Sequence, residues 1–461
     1  MNVYFIEPII NNSIFIYSIV IILSFVLFVI ISGLEIKHYL RRNRYVSYRE
    51  LLVSPFAPSI SVVVPVYNAE LIIIDKVRAL FSLQYNNFEV VVINDGSTDG
   101  TFDNLKKFYN LEVVHYAVHQ QLKSEPVHSY YKSKNPAYAK LTVIDKVRGG
   151  RADALNAGIN ISQKDLVLCI EIECFLDPNS LLKLTKPFLE EKKQVIAVGS
   201  AVHVANSSDI KSGHLIHVKF PKQVLPSFQV IEYFKSFLVE RLTWSRLNGL
   251  HIISGAIGLF DREILIKSGG YNATTKKEGF EMVVRMCRYM HDHHLDYRVI
   301  YTPDPLCWVN CPQGLTQLGK QRKRWAQGNF QTFLLHKDLF LNPRYGLLGL
   351  INFPYWFLVE WVTPLFKVIA VVALILLSIF GNLHWEYIAI LLLMIYFFAV
   401  ILSVVSILFE EKSYRPYTSG RDLFRILLLA FIEPIIYHPL NVYWKVIAGL
   451  NLKKNKPAPT V

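Results

Sequence analysis

Carboxylates, glycines and cations recur in this sequence at spacings suited to holding an anionic, activated substrate. Asp95 stands in Ile93-Asn94-Asp95-Gly96-Ser97-Thr98-Asp99-Gly100-Thr101, after an apolar run and before a Gly/Ser/Thr turn. A carboxylate there can accept hydrogen bonds from a nucleobase or ribose, and the turn lets backbone approach a ligand closely. A surface turn whose Asp and Ser cap the next helix gives the same pattern. Gly149-Gly150-Arg151 opens a helical stretch that runs on to Gly158. A guanidinium at a helix start suits a diphosphate, through forked hydrogen bonds and the helix dipole, although an ordinary glycine turn before a helix also accounts for it. Glu171-Ile172-Glu173 follows the apolar stretch Asp165 to Ile170. Strand alternation would turn both carboxylates to one side, where they could hold a divalent cation bridging phosphates; a plain acidic pair on an edge strand is the alternative. Gln321-Arg322-Lys323-Arg324-Trp325 lies just before a long apolar block, where basic residues serve lipid headgroups as readily as a substrate.

These residues need elements to present them. Between Ile60 and about His336, short β-branched stretches alternate with amphipathic ones: Ser61-Val62-Val63-Val64-Pro65, then Ala69 to Leu83, then Glu89-Val90-Val91-Val92-Ile93, then a helix from Gly100. Strand, helix and strand at this spacing predict parallel βαβ units, in which ligands bind at the carboxyl ends of strands. Val64-Pro65-Val66-Tyr67-Asn68 and the Asp95 turn both fall at such ends.

The rest of the chain is apolar. Of 461 residues, 52% are hydrophobic and 13% aromatic, with a net charge of +13, and the mean hydropathy is +0.29. That composition excludes a disordered chain, and five irregularly spaced cysteines exclude a disulfide scaffold. Residues 14–34 carry no charge and are followed by Lys37, Arg41, Arg42 and Arg44. This order predicts an uncleaved anchor with residues 1–13 outside and everything after Lys37 cytoplasmic. Residues 35–57 then read as a linker and 58–336 as the globular domain. Residues 337–364 read as interfacial helices, 365–380 and 387–409 as two further spans joined by an outside turn at Gly381-Asn382, and 451–461 as a basic tail. Residues 421–450 carry Arg425, Glu433, Pro434, His438, Pro439 and Lys445, so an interfacial or re-entrant segment is expected there, giving three spans, with four as the alternative. The basic residues cluster at membrane flanks, which argues for a lipid bilayer as partner and against nucleic acid.

Taken in order, Val63-Val64-Pro65-Val66-Tyr67-Asn68, Asp95-Gly96-Ser97-Thr98-Asp99, Gly150 to Gly158, Ser254-Gly255-Ala256, Gly269-Gly270-Tyr271 and Gln321-Arg322-Lys323-Arg324-Trp325 resemble the membrane-integrated family 2 glycosyltransferases, relatives of bacterial cellulose, hyaluronan and poly-N-acetylglucosamine synthases. The resemblance covers nearly the whole chain. It implies an α/β GT-A-like domain, a Rossmann-like mixed sheet, joined to α-helical membrane segments. It also implies a nucleotide sugar, usually a UDP-sugar, with Mg²⁺ or Mn²⁺, and inverting transfer to a polysaccharide acceptor by an inner-membrane protein. By position, Pro65, Tyr67 and Asp95 would hold the nucleoside, with Arg151 where the family usually has Lys. Glu171 and Glu173 would face the donor and metal, and Gln321, Arg324 and Trp325 the diphosphate and the acceptor.

Two positions depart from that pattern. Glu171-Ile172-Glu173 replaces Asp-x-Asp, and the extra methylene moves each carboxylate at a site where octahedral Mg²⁺ tolerates little displacement. Lys277-Glu278-Gly279-Phe280-Glu281 replaces the Glu-Asp pair whose Asp is the general base, so Gly279 occupies the base position and Glu278 and Glu281 are the candidate substitutes. A membrane glycosyltransferase building an envelope or exported polysaccharide is the leading expectation. A non-catalytic relative that binds nucleotide or polymer and scaffolds a partner synthase is the competing one. Three spans are few for secretion, which calls for a homo-oligomer or a partner membrane subunit.

Overall fold

The strands form where β-branched residues run together. In the computed structural model, which describes residues 3–44, 48–379 and 384–450, the chain forms twelve strands. They are β1 (Ile60–Val66), β2 (Phe88–Asp95), β3 (Leu111–Val114), β4 (Val127–Ser133), β5 (Leu141–Lys146), β6 (Leu166–Ile170), β7 (Phe175–Leu176), β8 (Gln194–Val204), β9 (Asp209–Lys211), β10 (His214–His217), β11 (Ile257–Asp261) and β12 (Tyr297–Val309). Ten of them build one sheet in the order β3-β4-β5-β2-β1-β6-β11-β8-β12-β7, and β9 and β10 pair separately. Val62, Val63, Val64, Val90 and Val92 are wholly buried, as expected for central strands covered on both faces. Each such side chain contributes roughly 1.5–3 kcal/mol by leaving water.

The direction of the strands sets where the site forms. β1 runs parallel to β2 and β6, and β2 parallel to β5, so Val66, Asp95, Lys146 and Ile170 end on one edge. β11 runs antiparallel to β6, and so the Ser254-Gly255-Ala256 segment before it reaches that same edge. The Arg151–Ile161 helix lies close on the sheet: a methyl group on Gly158 would come within 2.5 Å of Val63 and 2.7 Å of Ile93. Only glycine permits that approach.

Four helices among the described residues are long and apolar enough to cross a membrane: Ile10–Asn43, Leu348–Ile379, Trp385–Ser413 and Gly420–Leu450. Gly420–Leu450 is one unbroken helix, long and apolar enough for the fourth span that stood as the alternative. The charges that argued against a span turn inward, Glu433 to Lys235 at 2.8 Å and Lys445 to Glu360 at 3.0 Å. Residues 348–379 form one helical run, continuous across the boundary expected between 364 and 365. Two π-helical turns, Leu348–Asn352 and Leu358–Val362, each precede a proline, Pro354 and Pro364. The wider turns accommodate rings that would otherwise break the run. Leu23, Ile30, Ile369, Ile390 and Ile435 are exposed on these helices, an outer surface suited to lipid. The first helix also packs on the domain, where Phe28 meets Trp244 edge-on and its carbonyl accepts from Thr243 at 2.9 Å. The Gly381-Asn382 turn and the basic tail expected over 451–461 lie outside the described residues.

Candidate active site

At the nucleoside end, Pro65 lies in β1, and Tyr67 follows it with its ring 3.9 Å from the Arg148 guanidinium and its hydroxyl accepting from Arg148 at 2.7 Å. Asp95 closes β2 and is buried. Its carboxylate accepts from Lys146 Nζ at 3.0 Å and from the backbone N–H groups of Gly149 at 2.9 Å and Gly150 at 2.8 Å. Asp95 thus clasps the glycine turn that starts the Arg151–Ile161 helix. Gly150 has φ +88° there, and a side chain on Gly149 would collide with the Asp153 carboxylate at 2.3 Å. Lys146 is the partner that sequence reading missed. It sits opposite Asp95 in the strand register and is fully buried, 2.5 Å from Asp153. A lysine ending an otherwise apolar strand was its signal.

Arg151 joins two carboxylates. Its Nη1 donates to Glu278 Oε1 at 2.5 Å and its Nη2 to the Gly255 carbonyl at 2.6 Å, with Glu171 Oε1 at 3.5 Å. Burial works against the charged guanidinium, but Glu171 and Glu278 outweigh it and raise the Arg151 pKa. Burial pushes the Glu171 carboxyl above its ordinary value, against the pull of Arg151. Glu171 and Glu173 do not sit on a strand as expected. β6 stops at Ile170 and a turn follows, closed by Cys174 N–H donating to the Glu171 carbonyl at 3.0 Å. The apolar residue between them, Ile172, is the buried one. Among the described residues no cluster of three or more His, Cys, Asp or Glu could hold a metal ion. Two carboxylates remain a fitting donor set for a hard cation that takes its other oxygens from phosphates and water.

The two candidate bases fare differently. Glu281 is buried and does not face the cavity: Arg285 Nε donates to it at 2.9 Å and His336 Nε2 lies 3.0 Å away. Burial would raise its pKa, yet His336 and Arg285 hold it below the usual carboxylate value. Glu281 is a structural pin, which removes it as a base. Glu278 faces the cavity but is bound to Arg151. At Gly279 the structure is open, since an added methyl group would meet nothing nearer than the Gly255 Cα at 3.9 Å.

Gln321, Arg324 and Trp325 lie on the Leu315–Leu335 helix, three and four residues apart and therefore on one face. Arg322 lines the same cavity with its guanidinium 4.6 Å from the Trp325 ring, and is paired with both Glu232 oxygens at 2.7 and 2.6 Å and with the Tyr437 hydroxyl at 3.1 Å. This forked pair ties the helix to the domain and to the last membrane helix, a role sequence reading did not assign. One cavity of about 2160 Å³ is lined by Pro65, Tyr67, Asp95, Arg151, Glu171 and Glu173 and, beyond them, by Glu278, Gly279, Gln321, Arg324 and Trp325. It continues between the membrane helices.

A mixed sheet that delivers such a cavity to its strand ends, beside membrane helices, defines a membrane-associated GT-A-like protein. The model for glycosyl transferase family 2 matches residues 61–269, and that for glycosyl transferase family group 2 matches residues 166–402. The chain belongs to the family 2 glycosyltransferases. It is 25% identical over 275 residues to the poly-beta-1,6-N-acetyl-D-glucosamine synthase of Staphylococcus epidermidis, covering 60% of this chain and 55% of that one. To the synthase of the same name from Staphylococcus aureus strain COL it is 24% identical over 306 residues, covering 66% of this chain and 61% of that one. The chain therefore spans little more than half the length of these curated relatives. The mannosyltransferase PcManGT from Pyrobaculum calidifontis, solved with GDP-Man and Mn²⁺, shares the fold. Its TM-score is 0.57 at 18% identity, over 96% of this chain and 98% of that one.

Proposed function

We propose that this protein transfers a sugar, with inversion, from a UDP-linked donor to a growing envelope or exported polysaccharide, with its α/β domain on the cytoplasmic side of the inner membrane. The observation that carries the reading is the single cavity in which donor-side and acceptor-side residues meet. A chain with both halves of the site in one space is better suited to transfer than to scaffolding a partner.

In this reading Tyr67 and Pro65 flank the base, while Asp95 holds the Gly149-Gly150 turn whose backbone faces the donor. Arg324 and Gln321 bind the diphosphate, and Trp325 offers the acceptor sugar a ring face. Glu171 and Glu173 are the residues for Mg²⁺ or Mn²⁺, which would neutralise charge on the leaving diphosphate when bound. Calorimetric titration of the detergent-purified protein with UDP, with and without Mn²⁺, tests the donor half: metal-dependent binding is expected. Undiminished polymer formation by Arg324→Ala or Trp325→Ala would count against the assignment of the acceptor half.

A further inference from the structure

An attacking hydroxyl must lose a proton, and few groups in the cavity are free to take it. Of the carboxylates and histidines that line it, Asp95, Glu232, Glu278, Glu360, Glu433 and His438 are each engaged by a lysine or arginine. Glu171 and Glu173 belong to the donor end. Among the described residues Glu240 and His251 are left.

These two face different parts of the space. Glu240 feels the charges of Glu360 and Lys445, both carried on membrane helices. His251 lies against the reacting end. Its ring is 5.5 Å from that of Phe280, the residue after Gly279, and 5.8 Å from that of Trp356. It shortly precedes Gly255, whose carbonyl accepts from Arg151 at 2.6 Å and whose Cα borders the open position at Gly279. The Phe280 ring is also 5.1 Å from Lys277 Nζ, which is 5.9 Å from the Trp325 ring. Phe280 thus joins His251 to both halves of the site.

The imidazole is set up to accept. His251 is buried, its Nδ1 lies 3.4 Å from the Gly249 carbonyl, and its Nε2 has no hydrogen-bond partner. A proton on Nδ1, directed at that carbonyl, leaves the Nε2 lone pair free. Burial pushes the His251 pKa down to about 3; the Gly249 carbonyl and Asn352 oppose that, and Lys277 and Arg241 add to it. The ring is therefore neutral near pH 7. A buried acceptor without a partner is destabilising, and the partner it lacks is a donor entering the cavity it lines.

Resting on the glycosyl-transfer reading, we propose that His251 is the catalytic base, its Nε2 taking the proton of the acceptor hydroxyl in the role for which Gly279 offers no carboxylate. The hydroxyl oxygen attacks the anomeric carbon and forms the new C–O bond as its proton passes to Nε2. The bond from that carbon to the donor diphosphate breaks, and its electron pair leaves with the nucleoside diphosphate. The imidazolium then gives its proton to water. An anionic diphosphate nearby favours the imidazolium, so the base strengthens once the donor is bound.

The test places the full chain in phosphatidylcholine vesicles and supplies radiolabelled UDP-N-acetylglucosamine, UDP-glucose and GDP-mannose in turn, with and without an N-acetylglucosamine oligosaccharide. Label released from the nucleotide reports transfer to the oligosaccharide or to water. No release by the parent from any donor overturns the glycosyl-transfer reading and this inference with it; with an active parent, the variants bear on His251 alone. His251→Gln should lower kcat at least 100-fold, within the roughly 10²–10⁴-fold that a positioned base supplies, with UDP affinity unchanged. Adding Gly279→Asp, for which there is room, should recover at least tenfold by placing a carboxylate before the same hydroxyl. An undiminished rate in His251→Gln overturns the proposal, and so does a loss that Gly279→Asp leaves unrepaired, since that marks His251 as structural. The parent kcat/KM should also hold its value down to pH 5, where a group of pKa about 3 stays neutral. A fall below pH 7 together with a lost rate in Glu240→Gln would assign the proton to Glu240, whose pKa burial and Glu360 push up to about 7, and would overturn the assignment to His251.

Discussion

The two ends of the site are built to different degrees of completeness. At the nucleoside end the charged groups already have protein partners: Asp95 takes three N–H donors, Lys146 lies between Asp95 and Asp153, and Arg148 covers Tyr67. At the reacting end two glycines, Gly255 and Gly279, face open space, and His251 Nε2 and Gln321 Oε1 have no hydrogen-bond partner. The contrast separates two kinds of recognition. The first end is preorganised in shape, so a ligand meets a finished surface. The second leaves space and unengaged polar groups, so a ligand must complete it.

The largest expected effect falls on the finished end. Asp95→Ala leaves the buried Lys146 with one carboxylate fewer and two backbone donors unmatched. Lys146 keeps Asp153, and each buried donor left unmatched costs about 1–3 kcal/mol. Thermal unfolding of the detergent-purified variant should show that loss together with the loss of UDP binding. An unchanged melting temperature would sink the view of Asp95 as the clasp of the glycine turn. At the open end, Arg324→Ala should leave folding intact, because among the described residues Arg324 makes no hydrogen bond or ion pair. The rate should fall about 100-fold, the scale of removing one preorganised charge-stabilising donor. Initial rates beside a melting curve decide it, and a matching loss of stability would refute the division between the two ends.

The finished end was legible in the sequence because its parts are local: apolar runs closing on Pro65 and Asp95, and a glycine pair before Arg151. Gln321, Arg324 and Trp325 were singled out by the family resemblance, and the helix that sets them on one face came from the structure. What could not be read depends on contacts between distant segments. Glu278 and Glu281 are three residues apart and chemically alike, yet only the packing of Arg285 and His336 seals one away while Arg151 binds the other. The fit of the Gly420–Leu450 helix to a span was hidden for that reason. Its charges look prohibitive for a span until Lys235 and Glu360, far away in sequence, are seen to neutralise them. The strand expected at Glu171-Ile172-Glu173 failed differently, since the apolar Ile172 continues the pattern of β6 while filling the core from a turn.

The contrast also appears at the scale of single methyl groups, in two glycines that both lie in helices. Gly158→Ala puts a methyl 2.5 Å from Val63 and 2.7 Å from Ile93. The Arg151–Ile161 helix must then lift from the sheet, at about 1–3 kcal/mol for overpacking. Because that helix carries Arg151, UDP affinity should fall with stability. Gly279→Ala is the smaller change and has the opposite sign. The nearest atom to its methyl is 3.9 Å away, so the chain gains only the helix preference of alanine over glycine, about 0.5–1 kcal/mol. Melting curves of the two variants should move in opposite directions from the parent. If Gly279→Ala proved as damaging as Gly158→Ala, the space before Gly279 would not be open.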